Sequence, residues 1–297
     1  MKLQKFTILE LWGDKQISFN LNEDVNIMSG INGSGKTTIL DILYSVINND
    51  VQNEQCCHKY TSAQLLFTDD YLIDVTTQDG RKVISCTKNG VEVPLGEFYS
   101  RLYYACIASF DYAPFTAEVK RKLEEKYPWV KSELDYGLAY SLDGYYMYVV
   151  YVSKRVQNAI AQKSSNTKLA KYYSAMINMQ DICDSLFAPS LKWDRDSSKV
   201  QFILPNYNNK IITPHDLSAG EKQMLILLIN TLTQDEQECV VFWDEPELSL
   251  HVDWQKRLIA TMQKINPNMQ LIIATHSPFV IYDGWENRVV NIQNLIK

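Results

Sequence analysis

A glycine-rich segment near the N-terminus constrains the fold more than any other feature of this sequence. Residues 30–37 read Gly-Ile-Asn-Gly-Ser-Gly-Lys-Thr and fit the pattern G-x-x-x-x-G-K-[S/T]. Residues 25–28 (Val-Asn-Ile-Met), which we predict to be a strand, precede the segment, and apolar residues at helical spacing follow it over 37–46. A strand–loop–helix unit of this kind presents backbone N–H groups to phosphates at the start of the helix. The sequence therefore predicts an α/β chain built around a P-loop.

We expect this loop to bind the phosphates of ATP. Lys36 is placed to reach the β- and γ-phosphates, and the Thr37 hydroxyl to ligate Mg²⁺. The alternative is a glycine-rich turn with no ligand, and the flanking strand and helix argue against it. The predicted nucleotide-binding residues of the loop are Asn32, Gly33, Ser34, Gly35, Lys36, Thr37 and Thr38.

A second segment with catalytic character lies at 240–245, where an apolar strand ends in two acids, Asp244 and Glu245. A buried parallel strand delivers its last side chains to the sheet edge at which ligands bind. Two acids after a strand are often a solvated turn when they stand alone. In a chain with a P-loop, we expect Asp244 to hold Mg²⁺ through water and Glu245 to orient and deprotonate the attacking water.

Three further segments resemble the ABC-type ATPases. Residues 217–223 (Leu-Ser-Ala-Gly-Glu-Lys-Gln) resemble their signature motif, and residues 246–251 (Pro-Glu-Leu-Ser-Leu-His) resemble the segment through their D-loop. Residues 275–278 (Thr-His-Ser-Pro) resemble their switch histidine, here His276. Glu221 after the signature glycine and the Asp-Glu-Pro-Glu continuation are similar to the SMC, RecF and OLD (overcoming-lysogenisation-defect) class.

The resemblance implies that two ATP molecules are sandwiched between two chains. One chain supplies Lys36, Thr37, Asp244, Glu245 and His276 to each site, and the other supplies Ser218, Gly220 and Ser249. Ser218 also fits a plain helix N-cap, in a capping box with Glu221.

Two roles in the resemblance stay open. Trp12, which follows the first predicted strand, either stacks on adenine or belongs to the core. No glutamine follows the predicted strand 103–109 where the family has its glutamine loop. Ser109, Asp111 or no residue takes that role.

The fold class implied is a P-loop NTPase with an α/β, ABC-ATPase head-like mixed sheet, an antiparallel β subdomain and a helical insertion. The turn sequences at 69–70, 79–80 and 89–90 predict the antiparallel meander. We expect an N-terminal ATPase lobe over 1–112, a helical insertion over 113–214 and a C-terminal lobe over 215–297.

The insertion contains an acid-free stretch, 144–180, in a chain whose net charge is −6. Basic side chains alternate there with tyrosines. Such a stretch binds nucleic acid by phosphate contact and stacking, binds an acidic protein partner, or is a solvated face over a tyrosine-rich core. The basic residues are Lys154, Arg155, Lys163, Lys168 and Lys171.

The expected function is ATP binding and hydrolysis by a homodimer that regulates or scaffolds a separately encoded effector, in anti-phage defence or DNA metabolism. Because no apolar run reaches the ~20 residues that span a bilayer, we expect a cytoplasmic protein without membrane contact. Because about 20 residues follow His276, we expect no Toprim nuclease domain of the kind found in OLD-like proteins. The alternatives are the ATP-binding subunit of a membrane transporter and a nucleotide-binding scaffold with negligible hydrolysis.

Overall fold

The computed structural model describes residues 1–54, 56–107, 115–163, 165–282 and 284–296. The chain divides into two compact units, and both combine segments that are distant in sequence. Unit 1 comprises Met1–Ala108, Gln237–Glu247 and Asn268–Lys297, and unit 2 comprises Ser109–Glu236 and Leu248–Pro267. The three-part division at 112 and 214 stays a prediction.

Unit 1 contains an antiparallel sheet of six strands, in the order β2-β1-β4-β5-β6-β7. Tight turns join β4, β5, β6 and β7 in sequence, which confirms the predicted meander. The strands are β1 (Leu3–Leu11), β2 (Lys15–Asn20), β4 (Ser62–Phe67), β5 (Tyr71–Gln78), β6 (Arg81–Lys88) and β7 (Val91–Glu92).

A second sheet of unit 1 is parallel and has the order β14-β3-β13-β12-β8. Its central strands are buried on both faces, which is typical of parallel sheets. The strands are β3 (Val25–Ser29), β8 (Tyr104–Ile107), β12 (Cys239–Asp244), β13 (Met269–Ala274) and β14 (Val289–Asn291).

One apolar core joins the two sheets of unit 1 to helix α1, Lys36–Ile47. The buried face of α1 carries Ile39, Ile42, Leu43 and Val46, the spacing predicted from the sequence. Helix α2, Leu95–Arg101, was not predicted; it begins after Pro94 and buries Phe98. Two short helices, α8 (Pro278–Ile281) and α9 (Ile292–Leu295), complete this unit.

Unit 2 is mainly helical and includes three short antiparallel strands in the order β11-β10-β9. Its long helix α4 begins with a capping box between Ser132 and Asp135, and Asp135 also accepts a hydrogen bond from Lys222 at 2.8 Å. The elements are α3 (Ala117–Lys126), α4 (Glu133–Ala161), α5 (Asn166–Phe187), α6 (Ala219–Leu232), α7 (Val252–Ile265), β9 (Lys192–Trp193), β10 (Phe202–Leu204) and β11 (Lys210–Ile212). In the described segments of both units, no helix combines the length and apolar character required to cross a membrane.

Candidate nucleotide-binding site

The register of the parallel sheet of unit 1 brings three loops to one edge. Strand β13 lies between β3 and β12, with Asp244 opposite Ala274 and Ala274 opposite Met28. The carboxyl ends of these strands are therefore level, at the edge where ligands bind in open parallel sheets. The glycine-rich loop follows the end of β3, the Asp-Glu pair stands at the end of β12, and the histidine loop follows the end of β13.

Helix α1 begins at the glycine-rich loop, as predicted. Gly35 is its N-cap and has a φ of +95°, a conformation that residues with a Cβ rarely adopt. No side chain caps the start of α1, so the first N–H groups of the helix have no side-chain acceptor and point toward the space beside the loop. This arrangement favours an anion such as a phosphate at that position.

Lys36 is buried, and its ammonium group lies among loop oxygens. Its Nζ donates to the carbonyl oxygens of Gly30 at 3.0 Å and Ile31 at 3.2 Å. Burial lowers the pKa of Lys36 below its ordinary value, and the carboxylates of Glu245 and Asp244 partly offset that effect. An anionic ligand beside Nζ would stabilise its charged form.

Asp244, the last residue of β12, faces the first turn of α1. The Thr37 hydroxyl donates to its Oδ1 at 3.2 Å. Burial raises the pKa of Asp244 to about 6, the Glu245 carboxylate raises it too, and the Thr37 hydrogen bond opposes both. A hydroxyl beside a buried carboxylate is a donor set that suits Mg²⁺, which takes few protein ligands and completes its shell with water and phosphate oxygens.

His276 lies between Lys36 and Glu245. Its Nδ1 is 3.5 Å from Lys36 Nζ, and its Nε2 is 3.2 Å from Glu245 Oε1. Because a lysine ammonium can only donate, Nδ1 is the acceptor in neutral His276, and Nε2–H then donates to Glu245. The imidazole thus fixes one oxygen of the carboxylate predicted to act as base.

Trp12 lies against the loop. The tip of its indole is so close to Gly35 that a Cβ on this glycine would stand 2.1 Å from a ring carbon. The indole is 38% exposed, has Lys15 Nζ 5.4 Å from its ring, and lines the same cavity as the loop residues. Stacking of Trp12 on adenine stays a prediction.

A cavity of about 410 Å³ opens beside these groups. Its size and polar lining suit a nucleotide phosphate chain. Ser34 does not line it, but its hydroxyl lies 3.5 Å from Lys36 Nζ. The lining residues are Trp12, Asn32, Gly33, Gly35, Lys36, Thr37, Thr38, Glu245 and His276.

The signature segment lies in unit 2, at the start of α6. Ser218 caps the helix: its hydroxyl oxygen accepts from Glu221 N at 3.4 Å, and Glu221 Oε2 accepts from Ser218 N at 2.8 Å, which confirms the capping box. A Cβ on Gly220 would stand 2.5 Å from the carbonyl oxygen of Ser249. The glycine is therefore needed for the close approach of the D-loop segment to α6 within this unit.

The acid-free stretch is partly an internal network. Arg155 pairs with Asp235 at 2.6 Å and lies over the rings of Tyr151 and Tyr172. The hydroxyl of Tyr148 also donates to Asp235, at 2.9 Å. Lys154, Lys163 and Lys171 are exposed, while the side chain of Lys168 lies outside the described residues.

Two acids near the site were not singled out by sequence reasoning. Asp41 is one helical turn after Thr37, and burial together with the Asp244 carboxylate raises its pKa to about 6; the i, i+4 spacing could have indicated it. Glu247 is buried and bonds to the loop that carries His276. Ser109 and Asp111, the glutamine-loop candidates, lie outside the described residues.

Comparisons with known proteins give a family and a fold. The model of the family "AAA domain, putative AbiEii toxin, Type IV TA system" matches residues 123–281, more than half of the chain. The Retron Ec83 probable ATPase of Escherichia coli is 31% identical over 91 residues, which are 27% of this chain and 17% of that protein. Septu protein PtuA of Bacillus thuringiensis is 20% identical over 309 residues, covering 97% of this chain and 75% of that protein.

Among solved structures, an SMC head bound to the C-winged helix domain of ScpA matches with a TM-score of 0.61 and 14% identity. The match covers 98% of this chain and 94% of that one. At this identity the likeness shows the fold alone. It is an SMC head-like fold, which confirms the expected P-loop, ABC-ATPase head-like architecture. The matched segment is about a sixth of the retron ATPase's length, so this match does not carry the activity of that whole protein over to this chain.

Proposed function

Because the chain belongs to the family described as AAA domain, putative AbiEii toxin, Type IV TA system, we propose that it binds ATP with Mg²⁺ and hydrolyses ATP to ADP and phosphate. It is an SMC/RecF-like AAA ATPase of the kind found in defence or repair systems. The convergence of Lys36, Glu245 and His276 on one cavity is the observation that carries the proposal. The elements that meet there come from sequence positions more than 200 residues apart.

The residues divide the work according to their chemistry. Lys36 and the N–H groups at the start of α1 bind the phosphates, and Thr37 and Asp244 hold Mg²⁺. Bound Mg²⁺ neutralises charge on the phosphate oxygens. Glu245, oriented by the Nε2–H of His276, accepts the proton of the attacking water.

We further propose that two chains close on ATP. Each cavity then receives Ser218 and Gly220 at the start of α6, with Ser249, from the other chain, because a helix N-terminus favours an anion. Apolar side chains beside the cavity support closure. Ile31 in the glycine-rich loop is 65% exposed and Phe279 after His276 is 39% exposed, and an interface would bury both.

The effector that we propose for this switch is a separate protein that binds the helical unit. The exposed large apolar side chains on the described residues of α4 and α5 include four aliphatic ones, Met147, Val150, Ile160 and Ile177, beside three tyrosines. Aliphatic groups suit the side chains of a protein more than nucleic-acid bases, which stack on aromatic rings. Arg155, the best phosphate ligand of the stretch, is already paired with Asp235. None of these observations favours the transporter alternative.

The test compares the light-scattering mass of purified Glu245→Gln protein with and without ATP and Mg²⁺, beside phosphate release by the wild type. The amide cannot accept the water's proton, so we expect lost turnover and a roughly doubled mass with ATP. Lys36→Ala is the matched control, because it loses ATP binding and should keep the same mass in both conditions.

Each outcome has a distinct meaning. Wild-type phosphate release that Glu245→Gln leaves unchanged would overturn the hydrolytic assignment. Loss of turnover with a mass that ATP does not change would keep the ATPase and overturn ATP-driven closure. Ser218→Arg isolates the signature segment: it should spare ATP binding by the single chain and block doubling of the mass.

A further inference from the structure

A single buried carboxylate holds the loop that carries His276. Glu247 lies three residues after the end of β12 and is 8% exposed. Its Oε1 accepts hydrogen bonds from the Thr275 hydroxyl, from His276 N at 3.2 Å and from Ser277 N at 3.1 Å. Three consecutive residues of the histidine loop therefore donate to one oxygen.

These bonds are strong for physical reasons. A buried charge is costly unless hydrogen bonds compensate it, and bonds to an ionised acceptor are about twice as strong as neutral ones. Successive backbone N–H groups that point to one anion form a concave anion-binding nest. Ser277 N also donates to the Thr275 hydroxyl at 2.9 Å, so the first and last of these three residues are bonded to each other.

The loop held in this way determines the position of the His276 ring. The imidazole of His276 must keep Nδ1 toward Lys36 and Nε2–H toward Glu245. Its side chain is 32% exposed, so packing against neighbouring side chains restrains the ring only in part. The backbone of 275–277 therefore sets where the ring lies, and Glu247 sets where that backbone lies.

We propose that Glu247 is a positioning residue for ATP hydrolysis: its carboxylate holds residues 275–277 so that the neutral Nε2–H tautomer of His276 orients Glu245. The inference rests on the proposed ATPase function. Glu247 does not line the cavity, so it acts through His276 and not on the nucleotide. A residue of the Asp-Glu-Pro-Glu segment thereby links the loop after β12 to the loop after β13.

The kinetic test uses Glu247→Ala and Glu247→Gln in the full chain. Glu247→Ala removes the shared acceptor, and a misplaced base costs up to about 100-fold in rate. We expect kcat to fall about 10- to 100-fold, while the KM for ATP stays within about twofold because the phosphate-binding groups are untouched. Glu247→Gln keeps one carbonyl oxygen as acceptor and should recover most of kcat. A fall in kcat equal in both variants, or a rise in KM alone, would overturn the proposal.

A second readout does not depend on hydrolysis. Nuclear magnetic resonance of ¹⁵N-labelled histidine side chains in the nucleotide-free protein reports tautomers, and His276→Asn identifies its signal among the four histidines. We expect the Nε2–H tautomer in the wild type and a mixture of tautomers in Glu247→Ala. An unchanged His276 signal in that variant would overturn the proposal. A tautomer change in a protein that releases no phosphate would keep the positioning role and overturn only the proposed function.

Two further variants distinguish the proposed positioning role from a general folding defect. Thr275→Val removes one of the three donors and leaves the carboxylate in place, so a smaller fall in kcat with the same direction of tautomer change is expected. Asp24→Asn is the matched control, since it neutralises a carboxylate of the same unit that pairs with Arg288 at 2.8 Å. It should alter neither kcat nor the His276 signal. If Glu247→Ala does not fold, an unaltered tautomer in folded Thr275→Val would overturn the proposal.

Discussion

The carboxyl groups of Asp41 and Asp244 are half-buried close to one another, and both have a pKa of about 6. Each value lies above the ordinary 3.8, first because of burial and then because of neighbouring negative charge. The folded chain therefore binds protons more tightly than the unfolded chain between about pH 4 and pH 6. In that window these two acids lower the free energy of unfolding of the nucleotide-free protein as pH rises. When ionised, the two acids lower the stability of the fold, and a bound cation would offset this effect.

We predict that Asp41→Asn stabilises the nucleotide-free protein above pH 6. Removing one of two like charges should raise the free energy of unfolding by about 1 kcal/mol, or roughly 2–4 °C in Tm for a unit of this size. The gain over wild type should shrink as pH falls from 6 toward 3.8, because below that value the acids are protonated in the folded and the unfolded chain alike. Thermal unfolding at pH 4.5, 6 and 7.5 measures it. Asp24→Asn is the control, and a gain that does not change with pH would contradict the prediction.

At the scale of elements, helix α6 has an N-terminus with two uses. Ser218 completes a capping box with Glu221, and the same hydroxyl is proposed to meet a phosphate of the other chain. The first use stabilises the folded chain and the second matters only when two chains close. Substitutions that keep the cap and change the charge separate the two.

We predict that Ser218→Ala lowers the free energy of unfolding by about 1 kcal/mol, the ordinary cost of losing a serine cap. Ser218→Asp keeps an N-cap acceptor and should stay within about 0.5 kcal/mol of wild type. Its carboxylate would repel a phosphate, so Ser218→Asp should still prevent the ATP-dependent doubling of mass in the Glu245→Gln background. Chemical denaturation and light scattering measure the two effects. Doubling of mass in Ser218→Asp would contradict the proposed cross-chain role.

The sequence was sufficient to predict the elements that carry strong local patterns. Strands β3, β12 and β13 consist mostly of apolar residues, and α1 has a helical apolar face after the glycine-rich loop. Helix α2 was missed because its seven residues contain one glycine and bury only Phe98, so they carry little helical periodicity. The bond from Thr275 to Glu247 joins residues 28 positions apart. No local pattern reports such a bond, since the parallel register that produces it is a property of the assembled sheet.

At the scale of the whole molecule, charge is unevenly distributed. The chain has a net charge of −6, yet 144–180 contains five basic residues and no acid. Among the bases whose side chains the structure describes, Arg155 pairs inside unit 2, while Lys154, Lys163 and Lys171 are exposed. A reversal of charge should therefore have different consequences at neighbouring positions.

We predict that Arg155→Glu destabilises the chain by about 1–3 kcal/mol, because it places a second acid beside Asp235 and removes the cation over Tyr172. Lys154→Glu, the matched reversal one residue earlier, should change the free energy of unfolding by less than about 0.5 kcal/mol. Denaturant unfolding of the two variants at equal salt compares them. Equal costs would mean that the pair with Asp235 contributes nothing. Neither variant should alter phosphate release by folded protein.

The strand order of the parallel sheet has a consequence for how the chain is made. Strand β3, which ends at the glycine-rich loop, pairs with β13 and β14, and both are encoded near the end of the chain. About 240 residues separate β3 from β13, so at about 5–20 residues per second a ribosome adds β13 roughly 10–50 s after β3. Over that interval the nascent chain carries an apolar strand with both edges open, a species that invites aggregation. Chaperones that cover this strand during synthesis should then raise the amount of active protein that a cell obtains.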